Sequence, residues 1–135
     1  MATCMFVASG LDFAVDDYLR RSPFKVGTVF RKGDVPPLDN PNRVPRPDSG
    51  FVVIVGDDPE RKVTSQLGVA FDFLISNDKE LRSLRKVGVD NMLLDFTVVR
   101  SQSVDQSEYF PPELIEAMAR LGMGLTTSTV LIPQG

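Results

Sequence analysis

The residues best suited to chemistry at a surface are basic and aromatic, and they lie close together in the sequence. Phe30-Arg31-Lys32 falls at the predicted end of a strand, and Arg43 and Arg46 follow within a proline-rich stretch. Arginine and aromatic side chains are enriched at interface hot spots, and a guanidinium group suits carboxylate or phosphate recognition. These five residues, called the basic segment below, are therefore our candidate partner-binding residues. A flexible loop with scattered, solvated charges explains the same residues without a partner.

The charge distribution draws attention to the same part of the chain. Residues 20–46 contain seven of the fifteen basic residues and two of the eighteen acidic residues, a net charge of +5. The rest of the chain carries −8, and the whole chain −3. A local excess of one sign steers a partner of the opposite sign. The sequence pI of about 4.9 argues against nucleic acid. An acidic patch on another protein matches the basic segment, and we expect such a partner.

The residue content argues against most catalytic and metal sites. The chain has no histidine, which excludes a Ser-His-Asp triad, a Cys-His dyad and a histidine-bound zinc or haem. Cys4 lies among apolar residues of a predicted strand, where a thiol is expected to be buried and unreactive. Asp57, Asp58 and Glu60 lack the spacing of a calcium loop and match a helix start. We therefore expect no enzymatic activity, no metal and no cofactor.

The ends and apolar runs of the chain indicate a cytoplasmic protein without a membrane segment. Residues 1–10 carry no basic residue before their apolar stretch, so they predict a first strand and not a secretory signal. The longest apolar run, residues 51–55, is far shorter than the ~20 residues that a membrane helix needs. A single cysteine cannot form an internal disulfide, which fits a reducing compartment.

Apolar periodicity and turn residues predict alternating strands and helices. The strands are expected at residues 1–10, 26–30, 51–55, 92–99 and 126–132. The helices are expected to begin at Asp12, Asp58, Asn77 and Pro111-Pro112, with Glu80 completing a capping box with Asn77. Gly88 and Gly122 are expected to end helices in a left-handed conformation.

The predicted order, β-α-β-β-α-(α)-β-α-β, indicates an α+β fold. Its first part matches a ferredoxin-like β-α-β-β-α-β core, a mostly antiparallel sheet with helices on one face, extended by a C-terminal helix and strand. We expect one domain over residues 1–135, because neither side of the proline-rich loop at about residues 33–49 is long enough to hold its own core.

Five short segments with turn, helix-cap or core residues follow one another in a recognisable order. They are Ser9-Gly10-Leu11-Asp12, the strand end from Phe30 to Asp34, Ser49-Gly50-Phe51, Glu80-Leu81-Arg82-Ser83-Leu84 before Gly88, and Pro112-Glu113-Leu114 through Leu121-Gly122. In this order the chain resembles the bacterial family named domain of unknown function 4279. The resemblance runs through most of the chain and contains no catalytic motif.

The resemblance implies a compact cytoplasmic α+β protein with no agreed activity, in a family where some members resemble immunity proteins that neutralise a toxin. Our leading hypothesis is therefore a non-enzymatic protein-interaction module, an immunity-type inhibitor of a bacterial toxin. The alternative is a small-ligand-binding domain with a pocket between the sheet and the helices. An enzyme that uses carboxylates, lysine or arginine alone ranks last, because no residue pair is singled out for it.

Overall fold

Strands and helices account for most of the chain that the structure describes. The computed structural model describes residues 2–35, 39, 43–58, 63–101 and 109–132. The strands in these ranges are β1 (Ala2–Gly10), β2 (Thr28–Phe30), β3 (Ser49–Asp58), β4 (Asn91–Ser101) and β5 (Gly124–Ile132). The α-helices are α1 (Val15–Leu19), α2 (Val63–Ser76), α3 (Asp78–Ser83) and α4 (Pro112–Arg120), and a 3₁₀ turn, Leu84–Val87, follows α3.

The strands form one open sheet in the order β2-β3-β1-β4-β5. The strand β1 is central and antiparallel to both neighbours, so Phe6 lies opposite Val53 on one side and Leu94 on the other. The pairing of β2 with β3 is also antiparallel, whereas β4 and β5 are parallel. The expected α+β class with a mostly antiparallel sheet is confirmed. The narrower ferredoxin-like order stays a prediction, because the chain carries more helices and one more strand than that order has.

The core lies between one face of the sheet and the helices. Alternate strand residues point to this helix face, as the two-residue period of a strand requires. The large side chains buried there from the strands are Phe6, Phe51, Val53, Met92, Leu94 and Phe96, and those from α1, α2 and α4 include Tyr18, Leu67, Leu74, Leu114 and Met118. On the opposite, open face, Ile54 of the interior strand β3 is 59% exposed. The strand β3 is therefore exposed on one face, although its residues 51–55 are all apolar.

An aromatic cluster holds α1 against the sheet. The ring of Tyr18 on α1 stacks on Phe51 of β3, with centroids 5.6 Å apart. Phe13, just before α1, lies 6.1 Å from the same Phe51 ring. Rings at these separations attract each other beyond the effect of burial alone. This packing places the exposed side of α1 beside the end of β2, so that Asp16 of α1 can contact Arg31.

Two of the predicted helix ends are confirmed. Gly88, after the 3₁₀ turn, has φ +107°, and Gly122, after α4, has φ +66°. Both values lie in the left-handed region, which glycine enters without the steric penalty of a Cβ atom. The predicted cap of α1 is wrong, because Ala14 and not Asp12 occupies the N-cap position.

The predicted capping box at α3 is also wrong, although α3 begins where it was expected. Asn77 occupies the N-cap position, but its side-chain amide donates a hydrogen bond back to the Phe73 carbonyl of α2, 2.9 Å away. The Asn77 backbone N–H donates to the Phe73 carbonyl at 3.0 Å and not to Glu80, whose carboxylate accepts a hydrogen bond from Tyr18. The predicted helix N-cap at Asp58 is wrong as well, because Asp58 is the last residue of the strand β3. Pro59 and Glu60 lie outside the described residues.

The described helices are shorter than a membrane-spanning helix. The longest, α2, has 14 residues, and no helix in the described ranges is long and apolar enough to cross a membrane.

Candidate functional site

A tight turn follows β2 and fixes the first half of the basic segment. The Asp34 backbone N–H donates to the Arg31 carbonyl at 2.9 Å, and the Arg31 N–H donates to the Asp34 carboxylate at 2.8 Å. Gly33 in this turn has φ +94°, which favours glycine. The turn therefore holds the backbone of Arg31 and Lys32 in one conformation directly after Phe30, the last residue of β2.

The two ends of the proline-rich loop are tied together at its base. The Gly33 N–H donates to the Arg46 carbonyl at 2.9 Å, and the Arg46 N–H donates to the Asp34 carbonyl at 2.7 Å. The Lys32 N–H donates to the hydroxyl of the buried Ser49 at 2.8 Å. These three hydrogen bonds bring Arg46 back to the end of β2. The described loop residues (33–35, 39 and 43–48) form no helix or strand, as predicted.

Arg46 and Phe30 form the central contact of the site. The guanidinium carbon of Arg46 lies 3.9 Å from the centroid of the Phe30 ring, a cation–π geometry. The same guanidinium contacts the Asp48 carboxylate at 3.0 Å. Beneath, Gly50 of β3 has no room for a side chain, because a Cβ atom there would lie 2.5 Å from Cζ of Phe30. Phe30 is therefore held between Gly50 and Arg46.

Arg31 is engaged by a carboxylate of α1. Its Nε and Nη2 atoms donate to the two oxygens of Asp16 at 2.9 and 2.7 Å, the parallel two-bond geometry that arginine forms with a carboxylate. These bonds hold the pKa of Asp16 below its usual range and raise the pKa of Arg31. Both side chains are about half exposed, at 51% and 55%. Asp16 is therefore part of the site, although the sequence placed it only in the first turn of a helix.

Pairing with acidic residues reduces the positive charge expected for residues 20–46. Arg31 pairs with Asp16, Arg46 pairs with Asp48, and Arg20 pairs with Asp17 at 3.0 Å. All three of these aspartates lie just outside residues 20–46 in the sequence. Counting charges along the chain therefore overestimates the local potential, because folding brings acids from α1 and from the end of the loop into the same region.

The structure gathers four of the five predicted residues around the turn after β2. Phe30 and Arg46 are in contact, and Arg31 and Lys32 lie in the turn beside them. Arg43 is exposed in the described second half of the loop. Their role in partner binding stays a prediction.

A surface depression of about 280 Å³ lies between α1 and this turn. Asp16, Asp17, Arg31, Lys32 and Ser49 contribute polar groups to its lining. The ammonium group of Lys32 lies 3.5 Å from the Leu11 carbonyl. A projecting carboxylate of a partner would meet Lys32 and the outer edge of Arg31 here.

A second depression of about 260 Å³ lies between α1 and the α3 region. Its lining includes Tyr18, Arg21, Glu80, Ser83 and Lys86. The Tyr18 hydroxyl donates to the Glu80 carboxylate at 2.6 Å. Burial, reinforced by this bond to Glu80, raises the pKa of Tyr18 above its usual value. The tyrosine is therefore a neutral hydrogen-bond donor at neutral pH, and it links α1 to α3.

The remaining chemistry-bearing residues occupy structural positions. Cys4 is fully buried in β1, as expected, and burial and then the charge of Asp95 raise its pKa to about 12. Asp57 is exposed in β3. Within the described ranges, no group of three or more cysteine or acidic residues could hold a metal ion.

No model of a protein family matches the chain, and no match was found among the curated proteins or among the solved structures.

Proposed function

We propose that the protein is a non-enzymatic protein-interaction module that binds an acidic surface of another protein through the basic segment. On the resemblance given above, we further propose an immunity-type inhibitor in the family of domain of unknown function 4279, acting in the cytoplasm on a bacterial toxin. Such an inhibitor needs a complementary surface and no catalytic residue.

The contact between Arg46 and Phe30 is the observation that carries this proposal. An aromatic ring and an arginine are packed together at the surface, with 42% of the Arg46 side chain exposed. The loop-base hydrogen bonds and Asp48 hold the guanidinium in place before a partner arrives. A side chain ordered in advance loses less conformational entropy on binding, so more of its contact energy appears as affinity.

The neighbouring acidic residues restrict how a partner can approach the basic segment, but they leave donors free to bind it. A guanidinium has five N–H donors, and Arg31 directs two of its nitrogens at Asp16. Its other donors, together with Lys32, can bind a partner carboxylate. The partner must approach past Asp16 and Asp17, so precise placement of its acidic groups matters more than total negative charge. This favours a folded protein surface with positioned carboxylates.

We also propose that the first four strands follow the ferredoxin-like arrangement. In support, β1 lies between β3 and β4 and is antiparallel to both, and β2 pairs with the outer side of β3. The helix α3, the 3₁₀ turn, α4 and β5 would then be additions to that core.

The test is affinity capture from the native organism with the wild-type chain and two variants, read by quantitative mass spectrometry. The first variant replaces Arg31, Lys32, Arg43 and Arg46 by alanine. The control replaces three exposed bases outside both depressions by alanine: Lys79, Arg82 and Arg120. We expect a protein that is captured by the wild type and the control but lost with the first variant. Equal capture by the first variant would show that the basic segment is not the contact surface.

A second candidate function is the binding of a small anion in the depression beside Tyr18. The cationic side chains of Arg21 and Lys86 favour an anionic ligand. Titration with inorganic phosphate, followed by NMR, tests this possibility. Shifts confined to this depression and lost in Lys86→Ala would support it, and uniform or absent shifts would argue against it.

A further inference from the structure

The two edges of the sheet differ in how they are protected against pairing with another strand. Exposed edges normally carry charges, prolines or very short strands, because their free backbone groups can pair with another chain. The edge strand β2 has three residues, with Lys25 shortly before it and Arg31 and Lys32 directly after it. The other edge strand, β5, has nine residues, Gly-Leu-Thr-Thr-Ser-Thr-Val-Leu-Ile, without a charge or a proline. The strand β5 itself therefore carries none of the usual protection, although Pro133 follows its last residue.

The strand β5 is also accessible to solvent over residues 124–130. It pairs with β4 on its inner side, and no strand in the described part of the chain borders its outer side. Leu125 is 40% exposed and Val130 is 49% exposed, and Thr126, Thr127 and Thr129 are exposed as well. Residues on both faces of this strand can therefore be reached by a second strand.

The inner side of β5 is held by its parallel pairing with β4, which runs from Gly124 opposite Leu93 to Ile132 opposite Ser101. The outer side of β5 carries the backbone groups that this pairing leaves free.

We propose that β5 pairs antiparallel with β5 of a second copy of this chain about a two-fold axis, which joins the two sheets into one of ten strands. This inference goes beyond the proposed function and uses the opposite edge of the sheet. A two-fold interface must be self-complementary, since each patch meets its own copy.

The sequence of β5 meets this requirement of self-complementarity. A pairing centred on Ser128 places Thr127 opposite Thr129, Thr126 opposite Val130 and Leu125 opposite Leu131. Threonine pairs and apolar pairs across antiparallel strands are stabilising, and no like charges meet because the strand carries none. A charged partner strand, in contrast, would find no charge on β5 to pair with.

The nearest buried charge does not oppose this pairing. Asp95 of each copy lies one strand in from the interface, so three strand spacings of roughly 4.8 Å separate the two carboxylates. That distance exceeds the Debye length of about 8 Å at physiological salt. The order β2-β3-β1-β4-β5 also places the two basic segments near the far ends of the joined sheet, where both remain accessible.

The test is the mass of the full chain by sedimentation velocity over a range of protein concentrations. We expect the wild type to pass from 14.9 kDa to twice that mass as its concentration rises, because one strand per copy gives a concentration-dependent dimer. The variant Thr127→Lys/Thr129→Lys should remain at the single-chain mass. The matched control, Thr28→Lys, places the same exposed substitution on β2 at the opposite edge and should dimerise like the wild type.

Hydrogen exchange of the wild type, compared between dilute and concentrated samples, makes the result independent of how well a variant folds. We expect those β5 amides that do not bond to β4 to become protected only in the concentrated sample. A wild type that stays at the single-chain mass at every concentration overturns the proposal. So does open-ended growth beyond a dimer, a folded Thr127→Lys/Thr129→Lys variant that still dimerises, or protection that appears elsewhere and not in β5.

Discussion

The guanidinium of Arg46 stacks on the ring of Phe30, 3.9 Å from its centroid, although the proline-rich loop lies between them in sequence. The contact depends on hydrogen bonds that join Gly33 and Asp34 to the backbone of Arg46. The loop base is therefore a defined structure that presents one arginine on one aromatic ring. This pair is the centre of the surface that we propose binds a partner.

The coupling between these two side chains can be measured directly. A double-mutant cycle of Phe30→Leu and Arg46→Ala, read by urea denaturation, should give a coupling free energy of about 0.5–1 kcal/mol. The backbone hydrogen bonds of Arg46 survive in both variants, so the cycle isolates the side-chain contact. A coupling free energy near zero would mean that the stacked geometry does not persist in solution.

Two glycines are expected to respond in opposite ways to alanine. At Gly50 a Cβ atom would collide with the Ala8 carbonyl oxygen and with the Phe30 ring, so Gly50→Ala should lower the free energy of unfolding by about 1–3 kcal/mol. At Gly68, in the middle of α2, a Cβ atom would meet open space. Gly68→Ala should therefore raise the free energy of unfolding by about 0.5–1 kcal/mol. Denaturation of both variants checks this, and a stabilising Gly50→Ala would contradict the packing at Phe30.

The order of the elements could be predicted from the sequence because local signals specify it. Strand alternation at Cys4, Phe6 and Ala8 and the left-handed glycines Gly88 and Gly122 act over a few residues, and each lies where it was expected. Element ends were less accurate: β2 and β3 were expected at residues 26–30 and 51–55 but span Thr28–Phe30 and Ser49–Asp58. Strand ends depend on which backbone groups find partners across the sheet, and the sequence does not show this.

The contacts of the candidate site could be predicted only in part. The residue types of the basic segment drew attention to the correct turn, but the pairing of Arg31 with Asp16 depends on how α1 packs on Phe51. The predicted capping box between Asn77 and Glu80 rests likewise on their spacing in the sequence. In the fold, the Asn77 N–H donates to the Phe73 carbonyl, and the Glu80 carboxylate accepts from the Tyr18 hydroxyl of α1. Local rules fail at these positions because tertiary partners replace the local ones.

Tyr18 should make stability fall at alkaline pH. Because burial and Glu80 raise its pKa in the fold, the unfolded chain loses this proton at lower pH than the folded chain does. The free energy of unfolding should therefore decrease as pH rises above the ordinary tyrosine pKa of about 10, and Tyr18→Phe should remove this part of the decrease. Denaturation curves at a series of alkaline pH values measure it.

The second tyrosine provides the control for this prediction. Tyr109 is 73% exposed, and Tyr109→Phe leaves Tyr18 as the single tyrosine of the chain. Tyrosinate absorbance in that variant should report a raised pKa for Tyr18. An ordinary pKa there would contradict the buried bond to Glu80.

Asp95 should oppose folding at neutral pH. Burial raises its pKa, and its Oδ1 atom is buried without a hydrogen-bond partner among the described residues. An amide costs less to bury than a carboxylate, so Asp95→Asn should raise the free energy of unfolding at pH 7. In the wild type, the Asp95 carboxyl binds its proton more tightly in the folded than in the unfolded chain. The free energy of unfolding therefore rises as the pH falls from the raised pKa toward the ordinary value of this group.

The advantage of Asp95→Asn should therefore shrink on acidification. Urea denaturation at neutral and acidic pH checks this, with Asp72→Asn on the exposed side of α2 as the control. A gain in Asp95→Asn that does not depend on pH would show that the charge is not its cause.

The most direct test of the proposed function is the dissociation constant of the captured partner for the wild type and for Arg46→Ala, measured by calorimetry. We predict binding at least about tenfold weaker for Arg46→Ala, the loss expected of an arginine at the centre of an interface. The control Arg120→Ala, which removes an exposed base from α4, should bind like the wild type. A dissociation constant for Arg46→Ala equal to that of the wild type would contradict the proposal.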